Sequence, residues 1–163
     1  MKKLFFCVVI FLTVVSVTFS QNTNEWKWGG LFRIRPMASV LSIAFGGFEL
    51  VADWVPYVSP NVGIPIEADF VVINKVFGFG IAGGIEAVPV RHKEKSGLYM
   101  TALVGPLFVN RYVTFMGRAN IGYQIVTNGG FVFTPAIGIK FAVKSGVMLD
   151  IMLDIGFGYK KRK

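Results

Sequence analysis

Cysteine, histidine and charge are the scarce residues of this chain. It has 163 residues but one cysteine, Cys7, and one histidine, His92. A disulfide scaffold needs paired cysteines, and a zinc cluster needs several Cys or His ligands, so both are excluded. Charged residues make up 16% against 53% hydrophobic, and the mean hydropathy is +0.59. A disordered chain is excluded, since disorder requires low hydrophobicity and few aromatics. What the chain has in quantity is glycine, 19 residues, and phenylalanine, 16. The choice narrows to a membrane protein or an unusually apolar β-protein.

The first twenty residues read as a leader. Met1-Lys2-Lys3 is a short cationic stretch, Leu4 to Val17 is almost unbroken apolar sequence, and Thr18-Phe19-Ser20 offers small residues at the positions a signal peptidase inspects. This is the pattern of a secretory signal peptide over residues 1–20, with Cys7 a filler in its apolar part. Removal of Lys2 and Lys3 with the leader lowers the formal charge from +8 to +6. The remaining chain, 21–163, is expected to be one exported domain. Its longest charge-free run, Ala119 to Ile139, is interrupted by Asn120, Gln124, Asn128-Gly129-Gly130 and Pro135, so it does not read as a spanning helix.

Turn signals divide 21–163 into eight segments: 31–45, 48–58, 62–73, 76–90, 97–109, 113–126, 130–143 and 147–159. These are longer than the usual soluble strand of about 5–6 residues and suit tilted strands crossing a bilayer. Alternation is sharp. Val147, Leu149, Ile151, Leu153, Ile155, Phe157 and Tyr159 share one face, against Met148, Asp150, Met152, Asp154, Gly156 and Gly158. Eleven charged residues fall within segments, and each lies opposite the bulkier stripe of its own strand. They are Arg33, Arg35, Glu49, Asp53, Glu67, Asp69, Glu86, Arg118, Lys140, Asp150 and Asp154. A soluble barrel would point its bulky apolar residues inward. Here an interior filled by glycine, alanine and methionine would be underpacked. The expectation is therefore an all-β, eight-stranded, antiparallel up-and-down barrel in a membrane. Its apolar stripe meets lipid, and its charges form an ion-pair network in a narrow lumen.

The charge phase constrains the turns. A two-residue Asn128-Gly129 turn would send Arg118 and Lys140 to opposite faces. A three-residue Thr127-Asn128-Gly129 loop, with Gly129 left-handed, keeps them together and predicts Val126 opposite Gly130. By the same reasoning Lys144-Ser145-Gly146 is a three-residue loop with Gly146 at positive φ. That loop places Val143 opposite Val147 and Lys140 directly across from Asp150.

In plan the chain resembles the small bacterial outer-membrane β-barrels: the membrane domain of the OmpA type, OmpX and OmpW. The most specific piece is the last strand, Asp154-Ile155-Gly156-Phe157-Gly158-Tyr159, in which Gly156, Phe157 and Tyr159 resemble the terminal signal read by the barrel-assembly machinery. The chain departs from that pattern by continuing into Lys160-Lys161-Arg162-Lys163, and its outward connections are shorter than the family's. The resemblance implies an outer-membrane location, contact with outer-membrane lipid and with the assembly machinery, and a monomer.

Chemistry is sparse. His92 lies in Arg91-His92-Lys93-Glu94-Lys95, a turn crowded with cations, and is no general base for a serine or aspartate nucleophile. The segment carboxylates alternate with cations and read as ion pairs, since buried charges need partners. Gly78-Phe79-Gly80 and Gly83-Gly84 lie mid-strand and make room for neighbouring side chains. No cofactor, metal or nucleic-acid partner is expected. The expectation is a non-enzymatic envelope barrel with a charge-plugged lumen. Two alternatives stand beside it: an OmpW-like barrel that binds or passes a small hydrophobic or cationic solute, and a soluble periplasmic lipocalin-like binder.

Overall fold

The computed structural model describes residues 28–36, 38, 46–59, 61–73, 76–89, 91–92, 96–127, 130–143 and 146–160, with side chains for all of these except Trp28, Ile73, Arg91, His92 and Lys160. The leader, Cys7, Asn128-Gly129 and Lys144-Ser145 lie outside the described residues.

Ten strands follow one another: β1 Trp28–Ile34, β2 Gly47–Ser59, β3 Val62–Gly63, β4 Ile66–Ile73, β5 Val76–Ala87, β6 Arg91–His92, β7 Ser96–Val109, β8 Tyr112–Val126, β9 Phe131–Ala142 and β10 Gly146–Lys160. Both β3 and β4 pair with β2 and β5, so they form one stave. Both β5 and β6 pair with β7 and form another. Eight antiparallel staves result. The last closes on the first through β1–β10 pairing, from Trp28 opposite Lys160 to Ile34 opposite Ile155. Among the described residues this closure covers β10 from Ile155 onward, and β10 before it pairs with β9 alone. Among the described residues no helix is long and apolar enough to cross a membrane.

Every connection alternates between two ends. One, the termini end, gathers the start of β1, the end of β10 and the connections around Asn61, Val88 and Gly130. The other, the far end, gathers the links after Ile34, Ile73, Val109 and Ala142. The first segment differs from the sequence reading of 31–45. Strand runs only over Trp28–Ile34, and the backbone is helical at Pro36 and Ala38, with 39–45 outside the described residues. A proline in the helical turn has no amide to offer a neighbouring strand, which ends the pairing there.

Two registers also differ, each by whole two-residue steps. Val126 faces Val132, not Gly130, and Gly130 has φ 87°, while the expected left-handed Gly129 lies outside the described residues. Thr127 explains this. Its amide bonds Phe131 O at 2.8 Å, its carbonyl accepts from Gly130 at 2.9 Å, and its hydroxyl accepts from Phe131 N at 3.1 Å. Thr127 thus belongs to the strand end, and the loop begins one residue later. At the next far-end turn Gly146 has φ 84°, but it pairs with Ala142, so Lys140 faces Met148 and Asp150 faces Gly138. Val143 has left this ladder for β8. Its amide bonds Phe115 O and its carbonyl accepts from Thr114 Oγ1, both at 2.9 Å. A two-residue step leaves every side chain on its own face.

The outer surface is apolar around the whole barrel. Phe32, Leu50, Trp54, Ile66, Ile81, Val104, Phe115, Ile121, Ile137, Leu149 and Ile151 are all exposed. Aromatics collect at both rims. Phe48, Phe70 and Phe77 pack edge-on at the far end, with centroids 6.5 and 5.0 Å apart. At the termini end Phe131 meets Phe157 at 5.7 Å, and Trp54 Nε1 donates to the Tyr159 hydroxyl at 3.2 Å.

Candidate functional site

The interior carries the chemistry. All eleven charged residues named above point inward and take part in eight ion pairs. Among the described side chains no other Asp, Glu, Lys or Arg belongs to a strand.

The walls themselves are badly matched. Asp53 and Glu67 are direct cross-strand neighbours, and so are Arg118 and Lys140. Like charges so placed repel. The relief comes from across the lumen. In stave order β4 stands opposite β9, and Lys140 on β9 reaches Asp69 on β4 at 3.0 Å and Glu49 on β2 at 2.8 Å. Arg118 on β8 reaches Glu67 on β4 at 2.5 Å and approaches Asp150 at 2.8 Å. An eight-stranded interior is only wide enough for its side chains, so these contacts bridge it wall to wall. Repulsion along the walls and attraction across them select the same transverse arrangement.

Below this level lies a second one. Arg35 binds Asp154 through Nε at 2.8 Å and Glu67 through Nη2 at 3.4 Å. The Arg35–Asp154 pair spans the seam where β1 closes on β10. Arg33 holds its direct neighbour Asp53 and reaches Glu86, both through Nη2 at 2.6 Å. Its guanidinium carbon also sits 5.3 Å from the Tyr99 ring centroid, a cation–π contact. Tyr57 donates its hydroxyl to Glu86 at 2.7 Å and accepts from Gln124 Nε2 on the opposite wall at 3.3 Å. Beneath these polar levels Leu31, Val55, Tyr57, Val126 and Val132 form an apolar layer at the termini end.

Small residues make the room. A Cβ on Gly80 would stand 2.5 Å from Met116 Cε, so the end of the Met116 side chain occupies the space a larger residue there would take. Met116 packs with Ala82 and Leu103 beside the ion pairs. A cavity of about 10 Å³ between that cluster and Glu67, Arg118 and Lys140 is about the size of one water.

Sequence reasoning did not single out Tyr57, Tyr99, Asn120 or Gln124, all buried polar members of the interior. Strand parity carries the signal: Tyr57 is in phase with Glu49 and Asp53, and Asn120 and Gln124 with Arg118. Asn120 Nδ2 donates to Met152 Sδ, so Met152, packed with Tyr99 and Ala136, is a tight position. His92 lies apart at the termini end, where its backbone pairs with Ser96. Gly156, Phe157 and Tyr159 are in β10, Gly156 facing in and the other two out. Among the described residues no His, Cys, Asp and Glu group could hold a metal ion.

No family model matches this chain, and no curated protein or solved structure matches it either.

Proposed function

We propose that this chain is a small bacterial outer-membrane barrel, monomeric and non-enzymatic, whose ion-paired lumen makes it a closed component of the envelope. The observation that carries the reading is the inversion of a soluble protein: charged side chains inside the strands' barrel, bulky apolar ones outside. On β10 the outward apolar row runs from Val147 to Phe157. At about 3.3 Å per residue and a tilt of about 40°, that row spans about 25 Å, the height of the apolar band of such barrels. Phenylalanines and tyrosine at the two rims suit the two interfaces. An exterior of this kind in water would be a very large apolar patch, which argues against the soluble lipocalin-like alternative.

Non-enzymatic function rests on the side chains available. Each interior carboxylate named in an ion pair is held by a cation. The partners in this reading are outer-membrane lipid and, during biogenesis, the barrel-assembly machinery acting on the β10 terminus.

The test is electrophoresis of the detergent-refolded protein, with and without boiling, followed by planar-bilayer recording. Folded barrels of this kind resist SDS until heated, so a shift in migration and a silent bilayer are expected. Identical migration, with detergent-free solubility, overturns the membrane assignment. Steady large conductance overturns the closed lumen.

A further inference from the structure

The seam where β1 closes on β10 carries, at its termini end, a group of residues that neither the ion-pair network nor the apolar seal uses. Trp28 stands opposite Lys160, and Gly30 opposite Tyr159. Tyr159 and Trp54 lie on the outer face, 43% and 46% exposed, and the Trp54 indole donates to the Tyr159 hydroxyl at 3.2 Å. They belong to β10 and β2, with β1 between them. Gly30 makes this possible: a Cβ there would stand 2.6 Å from the Tyr159 hydroxyl and 2.5 Å from Val55 O. The tyrosine therefore lies across β1 as a clasp, held at its hydroxyl. A hydroxyl that accepts one hydrogen bond still carries a proton to donate.

Chain connectivity ties five cations to this corner. Lys160 ends β10 next to Tyr159, Lys161-Arg162-Lys163 follow it, and Lys27 immediately precedes Trp28. Four residues reach at most about 14 Å, so the basic run stays beside the clasp. Counter-charge is scarce. Of the nine acids in the chain, seven lie within strands and pair with interior cations, which leaves Glu25 and Glu94. With both of those spent here, three of the five cations would still lack a carboxylate. The interior acids cannot supply it, because Leu31, Val55, Val126 and Val132 stand between them and this end.

We infer that this corner binds the headgroup of an anionic phospholipid. The inference rests on the membrane reading and adds to it the class of lipid and the place where it is held. Tyr159 lies just past the outward apolar row that ends at Phe157, at the level where headgroups begin. A phosphodiester there accepts from the Tyr159 hydroxyl and is neutralised by Lys27 and the run from Lys160 to Lys163, charge-assisted bonds being the stronger kind. The acyl chains lie along Phe32, which stands between Phe157 on β10 and Trp54 on β2, all three exposed on the outer face. A zwitterionic headgroup brings its own cation into the same crowd and is disfavoured.

Tryptophan quenching tests this. The chain has three tryptophans, and Trp26→Phe with Trp28→Phe leaves Trp54 alone as the reporter. The protein is refolded into phosphatidylcholine vesicles that contain a fixed fraction of phospholipid brominated near the ester end of its acyl chains, either phosphatidylglycerol or phosphatidylcholine. Brominated phosphatidylglycerol should quench Trp54 more strongly, and raised sodium chloride should shrink the excess. Combined Lys161→Gln, Arg162→Gln and Lys163→Gln, beyond the end of β10, should lower the preference at least about fivefold, the factor one juxtamembrane cation contributes. Tyr159→Phe keeps the charges and should lower it less. Phe48→Trp with Trp54→Phe moves the reporter to the far rim, where the preference should be weaker. Equal quenching of Trp54 by the two lipids, an equal preference at the far rim, or a preference unchanged in the triple variant would overturn the inference while leaving the barrel in the membrane. Quenching by neither lipid would overturn the membrane reading and the inference with it. Loss of the preference to inorganic phosphate, but not to sodium chloride of matched ionic strength, would show a site for the free anion and overturn the lipid assignment.

Discussion

The two ends of the barrel are built from the same alternation, yet the described interior is packed differently at each. At the termini end the interior is layered: Arg33 between Asp53 and Glu86, Tyr57 reaching across to Gln124, and then Leu31, Val55, Val126 and Val132. At the far end the last described transverse pair is Lys140 with Glu49 and Asp69, with Met148 half exposed beyond it. The difference teaches that ion pairs bridge a narrow lumen, whereas a packed apolar layer seals it. Charge needs geometry and partners; apolar side chains need only volume.

The largest expected effect breaks the closed end. Arg33→Met removes the cation shared by Asp53 and Glu86 and leaves two buried carboxylates facing each other. Removing one partner of a buried ion pair costs about 3–5 kcal/mol. The urea midpoint of the refolded protein should fall accordingly, and a variant as stable as wild type would show that water enters this level freely.

How far this comparison was legible in the sequence depends on what decides each feature. The eight antiparallel strands and their closure follow from turn spacing and a period of two, which a single chain displays openly. Parity likewise placed Arg118 and Lys140 on one face, because any even register keeps them together. The partners were not legible. Lys140 was expected to meet Asp150, its nearest acid along the β9–β10 hairpin, but Val143 bonds β8 and the register moves by two. Lys140 then turns to Asp69 on the opposite wall. Contacts across a lumen join residues 71 apart in sequence, and no local pattern encodes them. The apolar seal was hidden for a different reason. Leu31, Val55, Val126 and Val132 sit on the polar face, where the alternation rule looks for charge.

Next in size is a substitution on the outer face at mid-height. Ile151→Lys places a cation where the apolar surface is exposed, and in a bilayer it should cost about 2–4 kcal/mol. Refolding yield into vesicles of increasing thickness measures it. Met152, one residue on, lies on the opposite face. It packs with Tyr99 and Ala136, so Met152→Ser should itself lose about 2 kcal/mol through a cavity. A vesicle-dependent penalty at 151 and a vesicle-independent one at 152 separate the faces; the same dependence at both would remove the inside-out assignment.

A smaller change tests the layer between charge and seal. Tyr57→Phe keeps the ring in the apolar cluster and deletes only the hydroxyl between Glu86 and Gln124. About 1–2 kcal/mol should be lost, since Glu86 keeps Arg33 while Gln124 loses a cross-lumen partner. Thermal unfolding in micelles reads the difference, and a loss as large as that of Arg33→Met would place the hydroxyl, not the guanidinium, at the centre of the closed end.

The smallest expected effect is on conductance, at the far end, and it decides what closes the barrel. From the sequence, with Lys140 across from Asp150, Lys140→Ala is the substitution that should let the lumen leak. The structure puts Lys140 above Arg118, Arg35, Arg33 and the apolar layer, with its side chain a fifth exposed and its partner Asp69 buried. Lys140→Ala leaves that buried carboxylate without its cation, so stability should fall, though by less than in Arg33→Met because the ammonium and Glu49 are partly exposed. Conductance should not change. Ions entering from the far end still meet Arg118 against Glu67 at 2.5 Å and, beneath it, Leu31, Val55, Val126 and Val132. Planar-bilayer recording of Lys140→Ala beside Val132→Gly separates the two accounts of closure. Silence in the first and flicker in the second assigns the seal to packing at the termini end. Leak in Lys140→Ala alone would return it to the charged plug at the far end.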